Sequence, residues 1–401
     1  MVNKFTPIFL IIFYWLFFLL RSVYGTAFYL SDFAIFHFSI MLFFLSMGYL
    51  FYFLLLHNIE KARRIKILKI NRRKAFASLF IIFLFLIYIG LNLGAFEMNF
   101  KEYFLFMRGS SEGAYHNSLE KMFGGNLILS GFEMYLIYPL YVGCQAVACS
   151  IIATSKSDIV FFIFAFFVSM LYGYIFQSGF LLETFFSFLA IGLFLVKKNK
   201  FDRLFMIKRL AFLTVIALAL IYLNVRTRGE SVIDNVEKYF LHYRTIGYSI
   251  YSVKLDDSES VLHKPSYGVS MLGEFGRISA TILRRVGFSV PEALNANHDM
   301  MREIKEPVFI GLNRDGKEVR VNAFVTMLFD MYRDFHEAGI ILFSFILGFF
   351  LAKLRTKGRF SEPHLACFFI LMHALIAGNT MSQFSRCYIW LSMLFVRFIL
   401  I

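Results

Sequence analysis

The stretch Arg320–Lys353, RVNAFVTMLFDMYRDFHEAGIILFSFILGFFLAK, changes its solvent preference halfway along. Its first half carries Asn322, Thr326, Asp330, Arg333, Asp334, His336 and Glu337, too many polar groups for lipid. Its second half, from Gly339 to Ala352, is too apolar for water and, with its flanks, long enough to continue as a spanning helix. A chain with this segment must place polar chemistry at a membrane surface.

The rest of the sequence agrees. Of 401 residues, 59% are hydrophobic and 54 are Phe, which excludes an ordinary soluble domain. The apolar runs are continuous rather than alternating, so the expected fold class is an all-α polytopic membrane protein and not a barrel. About ten spans are expected, near 1–20, 33–56, 75–95, 126–153, 159–176, 180–196, 210–225, 338–354, 365–378 and 387–401. The chain then divides into 1–225 with seven spans, 226–337 as one large loop with its membrane-entry helix, and 338–401 with three spans.

A formal net charge of +14 would point to nucleic acid in a soluble protein. Here the basic residues gather in short loops, as membrane topogenesis requires, and no basic stripe with interleaved aromatics argues for a nucleic-acid partner. The segment HNIEKARRIKILKINRRK is the strongest such block and marks the cytoplasmic side, so both termini are expected inside and the 226–321 excursion outside. Cys144, Cys149, Cys367 and Cys387 fall in or beside apolar segments without CxxC spacing and read as core residues.

Three constellations can carry chemistry. The excursion brings Arg226, Arg228, Arg244, Arg277, Arg284 and Arg285 beside the membrane, interleaved with Tyr239, Tyr243, Tyr248 and Tyr251. Guanidinium groups bind phosphate oxygens bidentately and tyrosines suit sugar faces, a combination fitted to a phosphorylated, glycosylated lipid. The alternative is that some of these arginines snorkel to headgroups, with Arg284 and Arg285 on an amphipathic surface helix. Thr326, Asp330 and Asp334 recur every four residues, giving one polar face. A carboxylate there could accept a hydroxyl proton, as could His336, or the acids and Arg333 could form a structural ion-pair set. Glu133 and Glu183 lie inside spans and must face a polar environment or an interface. There is no HExxH or DxD motif, Asp32 is the only acid in the first external loop, and neither a metal nor another cofactor is expected.

Asn322-Ala-Phe-Val-Thr326, followed by Tyr332-Arg-Asp334-Phe335 and Gly339 and then an apolar span with Gly348, resembles the signature of Wzy-type O-antigen and oligosaccharide repeat-unit polymerases. In that family an N-x-x-x-T segment and a Y-x-D-F-G segment follow the large periplasmic loop and enter the next helix. This chain departs at His336, where glycine is common, and at Gln177-Ser178-Gly179-Phe180, where a Gly-Gly-Arg-like turn is frequent. The resemblance implies a GT-C-like glycosyltransferase of a bacterial inner membrane. It would join oligosaccharide repeat units carried on undecaprenyl pyrophosphate at the periplasmic face, for lipopolysaccharide or a related surface polysaccharide, with membrane lipids and a chain-length regulator as partners. On that reading Arg226, Arg228 and Arg244 hold pyrophosphate or sugar phosphate, Tyr243 and Tyr332 position sugars, Arg277 and Asn322 also bind substrate, and Asp334 or Asp330 serves as base with His336 as a further catalytic candidate. Rival readings are an O-antigen ligase delivering glycan to lipid A-core, and a polysaccharide flippase or exporter.

Overall fold

The computed structural model describes residues 4–25, 28–56, 68–99, 126–154, 158–176, 179–196, 243–273, 275–295, 306–312, 318–321, 326–358, 361–379 and 388–401, with isolated positions between them. The protein is predominantly helical. Among the described residues, five helical segments are long and apolar enough to cross a membrane, at 6–24, 32–55, 72–92, 128–154 and 327–357. Shorter apolar helices occupy 159–175, 183–195, 362–377 and 388–398. The span expected at 210–225 lies outside the described residues, apart from Ala211 and Val215.

In chain order the main elements are α1 (Thr6–Gly25), α2 (Asp32–Phe51), α3 (Arg72–Asn92), α4 (Leu127–Phe132), α5 (Tyr138–Thr154), α6 (Ile159–Ile175) and α7 (Gly179–Ile191). Polar residues set where several begin. Ser31 caps α2 by accepting from the Ala34 N–H, Asn71 caps α3 through the Arg73 and Lys74 N–H groups, and Asn126 caps α4. Helix α5 is buried from Pro139 to Ala153 and forms the axis of the bundle. Around it, helices bury one face and turn the other outward with side chains such as Phe13, Phe36, Phe43, Leu84 and Val160, a distribution that suits lipid and not water.

The excursion is not all helix. It contains α8 (Tyr243–Asp256), α9 (Val269–Leu272), α10 (Phe275–Arg285) and an antiparallel pair, β1 (Val308–Leu312) and β2 (Glu318–Val321). β1 also pairs with the α1–α2 turn, where the Tyr29 N–H donates to the Ile310 carbonyl at 2.7 Å. Then come α11 (Met327–Lys357), α12 (Glu362–Ala377) and α13 (Tyr388–Phe398).

Contacts between segments distant in sequence define two ends. At one, Arg72 pairs with Asp158 at 3.0 Å and with Glu362 at 2.7 Å, the Asn71 N–H donates to the Leu400 carbonyl, and Lys74 reaches Ile401. Lys4 joins this end through the Tyr49 hydroxyl. The excursion packs at the other, against the α1–α2 turn.

Helix α11 spans the distance between them along α2. The two backbones nearly touch: a Cβ built on Gly48 would stand 2.0 Å from the Phe345 carbonyl oxygen, and one on Gly348 would stand 2.0 Å from that of Leu45. Small residues at a crossing of this kind let helices in lipid pack backbone to backbone. Gly348→Val is therefore expected to cost about 1–3 kcal/mol or more by forcing α2 and α11 apart, read as a lowered Tm of the detergent-solubilised protein.

Candidate functional site

The first eight residues of α11, Met327 to Asp334, are all buried, although Asp330, Arg333 and Asp334 are ionisable. The composition of this segment predicts a polar helix meeting the membrane surface; instead it is enclosed between the excursion, α2 and the turn after α12. Buried charges persist only when paired or hydrogen-bonded. For Asp334 the partners come from 266–271.

Both oxygens of the Asp334 carboxylate are engaged. One accepts from the Ser266 hydroxyl at 2.5 Å and the Ser270 N–H at 2.9 Å, the other from the Met271 N–H at 3.0 Å. The Arg333 and Asp334 carbonyls accept from the Ser266 and Tyr267 N–H groups at 3.0 and 3.2 Å. In a continuous helix those carbonyls would be paired with residues four positions on. The helix breaks just there: Phe335 (φ −149°, ψ 28°) and His336 (φ 52°, ψ −138°) leave helical geometry. Gly339 follows, its α-carbon so close to the Met331 carbonyl that a Cβ would lie 2.0 Å from it.

Arg333 is the cation of this assembly. Its Nε faces the Lys264 carbonyl at 3.4 Å, its guanidinium lies 3.9 Å from Asp299, and Asp330, Glu303 and Asp334 contribute to the field around it. Glu303 in turn binds Lys254 at 2.7 Å and accepts from the Ser260 hydroxyl and the Val261 N–H. Desolvation pushes its pKa up, but the hydrogen bonds from Lys254, Ser260 and Val261 outweigh it and hold the carboxyl below its usual value.

A second group of side chains meets α11 at the break. Tyr332 lies between the imidazoles of His37 and His336, with centroids 5.1 and 5.0 Å away, and Tyr251 and His263 approach it edge-on. The His37 Nδ1 is 2.8 Å from the Tyr251 hydroxyl, and its Nε2 is 3.7 Å from the Glu337 carboxylate.

Helix α8 links this group to Arg244. The Arg244 guanidinium pairs with Glu183 of α7 and reaches the Tyr14 hydroxyl of α1. The turn after α12 holds both regions together: the Gly378 carbonyl accepts from the Met327 N–H at 2.8 Å, and Asn379 donates to the Arg244 carbonyl at 3.4 Å. Arg244, Asp330, Tyr332, Asp334 and His336 thus occupy one end of the bundle. Arg226, Arg228 and Asn322 lie outside the described residues, as do the side chains of Tyr243 and Arg277, whose backbones belong to α8 and α10. Arg284 and Arg285 fall in the last turn of α10, apart from the acidic half-helix, on a segment that also exposes Ile282, Val286 and Phe288. Glu133, in a π-helical stretch between α4 and α5, accepts from the Tyr172 hydroxyl. Among the described residues no three His, Cys, Asp or Glu side chains converge closely enough to hold a metal ion.

Of His37, Tyr251 and Glu337, the sequence marks Tyr251 among the excursion's tyrosines and Glu337 among the polar residues of the entry segment, but not His37, and nothing local brings the three together from three helices. No family model, curated protein or solved structure matches the chain.

Among the described residues, only Tyr267 and His336 have positive φ without being glycine, and both sit at this junction. A side chain in such geometry costs of order 1–3 kcal/mol. His336→Gly is expected to hold or raise the Tm, because relief of that strain outweighs the roughly 1 kcal/mol entropic cost of glycine. His336→Val, branched at Cβ, is expected to lower it.

Proposed function

We propose that this protein is a polymerase of the bacterial inner membrane, joining oligosaccharide repeat units carried on undecaprenyl pyrophosphate at the periplasmic face. The observation that carries this reading is the convergence of Arg244 with the acidic start of α11 on the Gly378–Asn379 turn, at the end of the bundle remote from the basic segments. The basic end is then cytoplasmic, by the charge rule, and the excursion periplasmic. The resemblance of Asn322–Thr326, Tyr332–Phe335, Gly339 and Gly348 to the polymerase signature adds support. At His336, where the family commonly has glycine, the backbone takes the positive φ that glycine adopts without cost.

The chemistry asks for three things: cations for a pyrophosphate leaving group, contacts that orient sugars, and a base for the acceptor hydroxyl. Arg244, held in place by Glu183 and Tyr14, is proposed to supply the positive charge that faces phosphate. Arg226, Arg228 and Arg277 are proposed to complete the cationic set, with Tyr243 and Asn322 on sugar. Tyr332 is deeply buried and serves by holding its two histidines. Asp334 is committed to its three donors and Asp330 lies buried in the field of Arg333, so both are assigned to building the site rather than to proton transfer.

Removing one charge-assisted contact to the leaving group should cost about 2–4 kcal/mol of transition-state stabilisation, roughly a 30- to 1,000-fold loss of rate. Arg244→Ala, compared at equal amounts of folded protein, is expected to show that loss with purified lipid-linked repeat units. Chain elongation at the wild-type rate would contradict the assignment. In cells, deletion is expected to leave core capped with single repeat units; bare core would indicate a ligase instead.

A further inference from the structure

With Asp334 clamped and Asp330 enclosed, the proton acceptor has to be another group of the junction. We propose that Glu337 is the catalytic base and that His37 and Tyr251 position it, an assignment that rests on the glycosyl-transfer reading above. Glu337 follows the strained His336 directly, and more than half of its side chain is exposed, so it can reach a substrate hydroxyl where Asp330 and Asp334 cannot. Behind it, the His37 ring is buried and fixed in three ways. Its Nδ1 is hydrogen-bonded to Tyr251 at 2.8 Å, one face meets Tyr332, and Phe36 flanks it. With the Tyr251 hydroxyl donating to Nδ1, the imidazole proton resides on Nε2 and points at Glu337, 3.7 Å away. That separation is beyond a hydrogen bond and short enough to bias where the carboxylate sits. The titratable groups around His37 are Tyr251 from α8 and Tyr332, His336 and Glu337 from α11, with His263 on the far side of Tyr332.

In the transfer step the acceptor hydroxyl gives its proton to a Glu337 carboxylate oxygen as its own oxygen bonds to the anomeric carbon of the donor. The bond from that carbon to the pyrophosphate oxygen breaks, and the electron pair leaves on phosphate. No further co-reactant is needed. The break in α11 acquires a purpose, since a continuous helix would carry Glu337 away from its present position beside His37.

The test uses the full-length protein in proteoliposomes with a synthetic lipid-pyrophosphate-linked oligosaccharide. Glu337→Gln is expected to lower turnover about 100-fold with unchanged Tm, since the side chain is exposed. Glu337→Ala is expected to regain activity on addition of formate, which a structural role would not produce. His37→Gln is expected to lower kcat and leave KM unaltered. An active wild type with full turnover in Glu337→Gln, or without formate rescue of Glu337→Ala, overturns the base assignment alone. An inactive wild type overturns the glycosyl-transfer reading and this inference with it.

Discussion

Everything at the excursion end depends on one carboxylate. Asp334 accepts from Ser266, Ser270 and Met271, while the carbonyls beside it are taken by Ser266 and Tyr267. Charge-assisted hydrogen bonds of this kind are roughly twice as strong as neutral ones, and in a dry site each is expensive to leave unmade. This arrangement buries the ionised end of a helix, diverts the backbone from continuing it, and fixes 264–271 against α11. The strained His336, the close approach of Gly339 to the Met331 carbonyl and the place of Glu337 all follow from it.

The shaft of the bundle and its excursion end are built from opposite kinds of contact. Where α2 and α11 cross, Gly48 and Gly348 let backbones approach without any polar group, the solution available inside lipid. At the excursion end, packing is polar and made between distant segments: Arg244 with Glu183, Lys254 with Glu303, Arg333 with Asp299, and Trp390 donating to the Met271 carbonyl. An apolar shaft thus carries a polar head in which several of the described charges are answered from within. At the junction with α11, Glu337 and the aromatic Tyr267 are exposed.

Much of the shaft was legible in the sequence because apolar runs in lipid need no partner to be recognised. The change of character within Arg320–Lys353 marks where polar residues give way to Gly339 and the apolar run, but it did not announce the break in α11 that falls there, at Phe335–His336. The four-residue spacing of Thr326, Asp330 and Asp334 gives one polar face if helical, and Asp330 and Asp334 do lie on α11, with Thr326 at its N-cap. It could not show that the whole segment is enclosed, because the enclosing residues lie some 60 positions earlier. Glu133 and Glu183 were marked as intramembrane acids, and their partners Tyr172 and Arg244 became visible only in three dimensions. The His37–Tyr251–Glu337 group was illegible for the same reason, as His37 and Tyr251 are 214 positions apart. The hairpin β1–β2 was missed because its strands are short and alternate only weakly between buried and exposed.

The clamp on Asp334 can be tested without any variant by hydrogen exchange resolved to single amides in the folded wild-type protein. The Ser266, Tyr267, Ser270 and Met271 N–H groups should exchange slowly and together, because all four are held by one half-helix and open only when the excursion lifts away. Exchange of these amides as fast as in an unprotected loop, while the α2–α11 crossing stays protected, would contradict the account.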